Sequence, residues 1–455
     1  MATIRKRNDK YNVVYDYYDN EGNRKQKSDS YKSFAEAKKR KIEIEKEKSD
    51  NTFIPPSVQT VEEFLALFVE LYGTKKWALS TYEKSNKTIS NYIIPYIGKL
   101  KVQTLTPLLI ERYYADLKKK PSVANESRKS EKTVSTGTIK SVHKILHCAF
   151  GIAVKWNIVM SNPLERVEPP KHVYKKREIW TSDMILKALK VCDDPKLAIA
   201  IHLSFACSLR LGEVLGLQWN NVHITDKDIA VDNAYIDVVQ ELCTASTRAL
   251  EILDSKDVIF EFPCALLKND RKTKVVLKKP KTESSIRRIW LPKTLALILR
   301  EWKKEQDAYK EYFGNEYYDY DLVVCLEDGK QCSHSIIRKG FDRITYEAEL
   351  PKVVFHSLRH SSTTYKLKLN HGDIKATQGD TGHSQADMIT DVYSHILDED
   401  RKINAQRFDE TFYNDDILSK ENSERIPNTI DVDLLVGEIS KNPELLNQLL
   451  DALKA

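Results

Sequence analysis

The sequence predicts a multidomain, mainly α-helical chain with small antiparallel sheets, an α+β fold. Its 455 residues exceed what one hydrophobic core supports, so roughly two to four domains are expected. Apolar residues recur at helical spacing over most of the length, interrupted by two proline-bearing connectors, Asn51–Ser57 and Pro169–Arg177. Strand-forming residues gather in only two places, the N-terminal thirty positions and a stretch from about 229 to 291.

Residues 1–50 read as a small unit of three strands and one helix. Tyr11–Tyr18 is rich in β-branched and aromatic residues, Asp19–Asn23 carries turn residues, and Arg24–Ser28 reads as the returning strand. Ser33 opens a helix to about Lys48, with Glu36 placed to complete a capping box. Basic strands with exposed aromatics suit insertion into a DNA groove.

Residues 58–168 read as all-helical. Thr60 and Glu63 form a second capping box, followed by Phe64, Leu65, Leu67, Phe68 and Leu71 at helical spacing. Further helices are expected at about 80–94, closed by Pro95, at about 107–120 and at about 136–156, with a polar loop from Pro121 to Lys132.

Residues 175–412 form the largest expected domain. A helix starts at Thr181-Ser182-Asp183, and two more run over Pro195–Cys207 and Arg210–Leu217. Strands follow around Ile229–Val239, Val258–Phe262, Val275–Leu277 and Ile286–Leu291, with Glu241–Leu253 expected as an inserted helix. Helices resume from Pro292 to about Phe408. The tail, 413–455, places Leu434, Leu435, Ile439, Leu445, Leu446 and Leu449 on helical faces but is too small to fold alone, so it is expected to dock on something.

Charge narrows the partner. The net charge of +6 is small, but basic residues bunch at Arg5–Arg7, Lys38–Lys41, Lys118–Lys120, Lys175–Arg177 and between Lys268 and Arg288, while the tail leans acidic. Runs recurring in successive segments point to a tracked polyanion. The seven cysteines are scattered singly with no CxxC pair, which argues against a disulfide framework and for a reducing compartment. With no apolar leader and no apolar run near eighteen residues, the expectation is a cytoplasmic protein without a membrane partner.

Behind the strand-like run Val353–Phe355 lies His356-Ser357-Leu358-Arg359-His360. At helical pitch the two imidazoles and the guanidinium share a side. Zinc ligation is one reading, although no Glu lies between the histidines to act as a base. A buried or capping histidine pair is a second, and an anion site is the third. Other phosphate-active residue types occur in the same domain: Arg210 and Glu213 in Arg210-Leu211-Gly212-Glu213, Lys281 on an expected hairpin at Pro280–Ser285, then Gly382-His383, and Tyr393 ten residues after His383.

The ordered set R-x-G-E, K-T, H-x-x-R-H, G-H and Y resembles the tyrosine recombinases, or phage integrase family. The resemblance extends to Ile94-Pro95-Tyr96-Ile97-Gly98 and Asn162-Pro163. It implies a tyrosine-recombinase catalytic fold over 175–412, preceded by a helical core-binding domain and a three-stranded arm-binding domain. It implies Tyr393 as nucleophile, Arg210, Lys281, His356, Arg359 and His383 as its catalytic partners, and Glu213 as a supporting acid. Ser208 stands where the family often has Gly, and Thr381 where it usually has Leu.

The chemistry agrees with that assignment. Two guanidinium forks can hold the non-bridging oxygens of a phosphodiester under attack. With no acidic cluster spaced for Mg²⁺ and no P-loop, the reaction is expected to need neither metal, cofactor nor ATP. A tyrosine with an ordinary pKa of about 10 must lose its proton during attack. The resemblance gives that step to His356 and phosphate binding to His383, while Lys281 can protonate the departing 5′-oxygen. A 3′-phosphotyrosine would keep the ester linkage for a second strand. The expected partners are double-stranded DNA at core and arm sites, further copies of the chain in a tetramer, and an accessory excisionase and host DNA-bending protein. The alternatives are a non-catalytic DNA-binding regulator, a type IB topoisomerase and, last, a zinc hydrolase.

Overall fold

The computed structural model describes residues 2–18, 22–50, 52–123, 133–171, 178–263, 272–370 and 373–381. The backbone clusters into two units, Met1–Ser361 and Ser362–Ala455.

At the N-terminus β1 (Ala2–Arg7), β2 (Lys10–Tyr18) and β3 (Arg24–Tyr31) form an antiparallel sheet in that order, with Ala2 opposite Tyr15 and Tyr11 opposite Tyr31. Asn8 and Asp9, at φ 44° and 53°, supply the left-handed pair that a tight hairpin matched to strand twist requires. The helix Phe34–Ser49 starts on the expected box: the Glu36 amide donates to Ser33 Oγ and the Ser33 amide to Glu36 Oε2. The core beneath is small, built on Ala2, Val13, Tyr15, Ala37 and Ile44.

The next segment is helical, as expected. Thr60 and Glu63 cap the helix Val61–Phe68 reciprocally. The helices Pro107–Lys119 and Thr136–Lys155 lie within a residue of their expected bounds. Phe64, Phe68, Ile110, Leu117, Leu146 and Phe150 build the core between them. Pro95 does not close the preceding helix. Leu79–Thr88 runs into a π turn, Ile89–Ile93, and then into Ile94–Ile97, where Pro95 occupies the first turn. Proline is tolerated there because that N–H has no intrahelical partner.

The third segment differs from expectation most. Two three-stranded antiparallel sheets form: β4 (Val222–His223), β5 (Tyr235–Val238) and β9 (Arg287–Trp290) in one, and β6 (Glu241–Ser246), β8 (Thr273–Lys278) and β7 (Val258–Glu261) in the other. Glu241–Leu253 is therefore not one helix. Its first six residues pair with β8, and only Thr247–Ile252 is helical, capped by Ser246. Cross-strand pairing overrides helical periodicity here. The expected strand from Ile229 likewise begins as a capped helical turn, Asp226–Ala230. Pro280–Ser285 is not a hairpin, because β8 and β9 belong to different sheets and this segment crosses between them.

Ahead of these strands, the helix Pro195–Ala206 matches expectation, whereas Arg210–Leu217 contracts to Leu211–Leu215. Beyond β9 come the helices Lys293–Phe313, His334–Glu347 and Ser357–Leu369. Trp180 packs on Phe341 with ring centroids 4.8 Å apart and donates to the Pro351 carbonyl. Val353–Phe355 forms no strand; Val353 and Phe355 instead point into the core. In the second unit the described residues are the remainder of Ser357–Leu369 and the helix Ile374–Thr381. The expected helices beyond 381 and the tail lie outside the described residues. Among the described residues no helix is long and apolar enough to cross a membrane.

Candidate active site

The site is built where the helix Pro195–Ala206 gives way to Leu211–Leu215. Ser208 sits between them at φ 54°, a left-handed conformation that glycine adopts freely and serine does not. That turn delivers Arg210 to the N-terminal end of the short helix with extended backbone, and Glu213 one turn further on. Glu213 is 2% exposed and bridges several partners. It accepts from the Arg210 amide at 3.0 Å and from Arg210 Nη1 at 2.6 Å.

A second guanidinium reaches the same carboxylate from β9. Arg287 Nη2 donates to Glu213 Oε2 at 3.0 Å and Nη1 to Oε1 at 3.4 Å. A third belongs to the HSLRH stretch. Arg359, in the first turn of Ser357–Leu369, is 1% exposed; its Nη1 lies 3.9 Å from Glu213 Oε2 and donates to the Ser208 carbonyl. Burial pushes the Glu213 carboxyl up, but Arg287 and then Arg210 outweigh it and hold the group below the ordinary carboxylate value. Burial, then Arg210, push Arg359 down while Glu213 opposes them. A guanidinium stays charged in proteins, so three cations share one anion here. Such a cluster is electrostatically prepared for a phosphate.

His356 lies just before the helix and is exposed, its ring edge-to-face with His360 at 4.9 Å. Arg210 and His356 line one cleft of about 650 Å³, together with Glu241 and Cys243 of β6 and with His334 and Arg338. Burial and Arg338 hold the His334 imidazole below its usual pKa. Among the described residues no group of three or more His, Cys, Asp or Glu is arranged to hold a metal ion.

The structure thus brings together Arg210, Glu213, Arg359 and His356. Lys281 is exposed on the segment crossing from β8 to β9. His383 and Tyr393 lie outside the described residues. Sequence reasoning missed Arg287. Its signal was strand alternation, because Arg287 and the buried Ile289 are two apart and share a face, so an arginine there points inward and needs a buried anion.

A cluster of this kind, beside an open cleft on a helical scaffold holding two small sheets, has the charge and the guanidinium geometry to hold a phosphate group. Residues 181–400 match the Phage integrase family, and residues 60–118 match the phage integrase N-terminal SAM-like domain. The chain belongs to the phage integrase family, the tyrosine recombinases. It is 25% identical over 336 residues to the tyrosine recombinase XerC-like protein of Caldanaerobacter subterraneus subsp. tengcongensis, covering 72% of this chain and 76% of that one. It is 24% identical over 343 residues to the ICEBs1 integrase of Bacillus subtilis, covering 72% and 77%. The Tn1549 transposon integrase, solved in complex with a circular intermediate DNA, shares the fold with a TM-score of 0.57 at 16% identity, over 77% of this chain and 99% of that one.

Proposed function

We propose that this chain is the integrase of a phage or conjugative element, cutting and rejoining DNA at specific sites through a covalent tyrosine intermediate. The observation that carries the reading is the cluster of Arg210, Arg359 and Arg287 on Glu213, beside the cleft that His356 also lines. In this reading Arg210 and Arg359 hold the non-bridging oxygens of the scissile phosphate and cancel the charge that grows on them. The Tyr393 oxygen forms a bond to phosphorus as the bond to the 5′-oxygen breaks. His356 takes the phenol proton, His383 binds the phosphate, and Lys281 gives a proton to the departing oxygen. The 3′-phosphotyrosine stores the ester for attack by a second 5′-hydroxyl, so neither ATP nor metal is needed.

The segments divide the recognition task. Residues 1–50 bind arm sites, 58–168 grip the core site, 175–412 carry the chemistry, and 413–455 dock on a neighbouring protomer of a tetramer in the cytoplasm. An excisionase and a host DNA-bending protein set the direction of the reaction.

The test is incubation with a nicked suicide duplex bearing the crossover site, in EDTA. A covalent adduct is expected, and Tyr393→Phe should form none. An adduct that survives this substitution, or activity lost to EDTA, overturns the reading. Binding without any adduct would identify a DNA-binding regulator, and relaxation of plasmids without a preferred site would identify a topoisomerase.

A further inference from the structure

Of the proposed catalytic residues in the described segments, Arg210 and His356 line the cleft and Arg359 is buried against Glu213, whereas Lys281 lines no part of the cleft. It is exposed, and the strands on either side of it pair into different sheets, so no hairpin ladder fixes it. A general acid must nevertheless sit within hydrogen-bond reach of the oxygen it protonates.

One route of contacts runs from the guanidinium cluster to this segment. Arg287 Nη1 donates to the Ser285 carbonyl at 2.9 Å, while the same guanidinium grips both oxygens of Glu213. Ser285 closes the single turn that follows Lys281: its amide donates to the Thr282 carbonyl at 3.0 Å, and its hydroxyl lies 2.9 Å from the Thr282 hydroxyl. Thr282 is the residue next to Lys281. Because Glu213 also accepts from Arg210, the contacts run unbroken from the phosphate-holding arginine to the lysine's neighbour. The Arg287 side chain is 6% exposed, so its position is set by packing as well as charge.

We propose that Arg287 is a positioning residue: through Ser285 and Thr282 it sets Lys281 against the phosphate held by Arg210, so that the lysine's proton reaches the leaving 5′-oxygen. The proposal rests on Lys281 being the general acid. In the step it serves, the tyrosine oxygen–phosphorus bond forms, the phosphorus–5′-oxygen bond breaks with its electron pair on oxygen, and a Lys281 proton neutralises that oxygen. Rejoining reverses the transfer.

A leaving group that needs no proton separates the possibilities. Single-turnover cleavage by the full-length chain is measured on suicide duplexes whose scissile 5′-bridging atom is oxygen or sulfur, since a thiolate departs unprotonated. On the oxygen substrate, Lys281→Ala, Arg287→Ala and Arg287→Lys should each slow cleavage by about 100-fold or more. On the sulfur substrate all three should return to within about tenfold of the unsubstituted chain, and the double variant should be no slower than Lys281→Ala on oxygen. Equal slowing of the Arg287 variants on both substrates, with Lys281→Ala rescued, overturns the positioning role and assigns their effect to the Glu213 ion pair instead. If Lys281→Ala is itself not rescued, the assignment of the acid falls and the inference falls with it. Arg287→Lys keeps a cation beside Glu213, so a misfolded Arg287→Ala would not obscure the result.

Discussion

Glu213 shows how a single side chain sets the charge of the site. Removing its carboxylate leaves the buried Arg359 and the largely covered Arg287 side chain without the anion they share. Breaking a buried pair in this way costs about 3 kcal/mol or more, so Glu213→Gln should lower the urea midpoint strongly while keeping the shape of the side chain. The same group predicts a pH dependence. Its folded pKa lies below the unfolded value of about 4.3, so the stability it contributes is complete above that pH and is lost as pH falls through the folded value. Stability measured from pH 6 downward should therefore fall less steeply in Glu213→Gln than in the unsubstituted chain. Equal slopes would show that other carboxyls govern acid unfolding. The supporting role of Glu213 was implied by the family resemblance, and its spacing from Arg210 put the two one turn apart. For Arg287 the sequence holds only the alternation with Ile289; which anion it meets is set by strand pairing with β5, about fifty residues away.

At the scale of elements, the segment 241–257 does more than interrupt the domain. β6 lies against the Arg210 helix so closely that a Cβ added at Gly216 would fall 2.6 Å from the Leu242 amide nitrogen, and one at Gly212 3.0 Å from the Leu242 carbonyl. The glycine of the R-x-G-E motif, Gly212, thus packs tightly on β6, while Gly216, four residues on and outside the motif, leaves no room for a methyl group. Gly216→Ala must push β6 or the helix aside and should cost about 1–3 kcal/mol, read as a lower melting temperature together with slower adduct formation. Unchanged cleavage at reduced stability would mean that the helix holds and β6 yields. The helix Thr247–Ile252 meanwhile packs Ala249 and Leu250 against Leu79 and Tyr82 of the helical segment. Leu250→Asp buries a charge in that contact. Calorimetry should then resolve two unfolding transitions where the unsubstituted chain shows one, and a single transition in both would count against coupling through this contact.

Over the whole molecule, the N-terminal sheet and helix carry a core of their own, touched by Phe53 of the connector, whose ring meets Tyr15 edge-to-face at 5.9 Å. Removing residues 1–50 should leave adduct formation on a core-site duplex intact and abolish binding to a separate arm-site duplex; loss of both in gel-shift and adduct assays would place the module in core recognition instead. The capping boxes at Ser33 and Thr60 and the helical periods follow from neighbours within a few positions along the chain, the order of the motif residues is read directly along it, and these the sequence determined by itself. Tertiary structure alone decided that β8 and β9 part into two sheets, that Glu241–Ser246 becomes a strand, and that Arg287 joins Arg210 and Arg359 on Glu213. The reason is physical. Strand partners and buried ion pairs are chosen by competition among segments distant in sequence, each gaining only if the others bury their apolar faces at the same time, and no local pattern records the outcome.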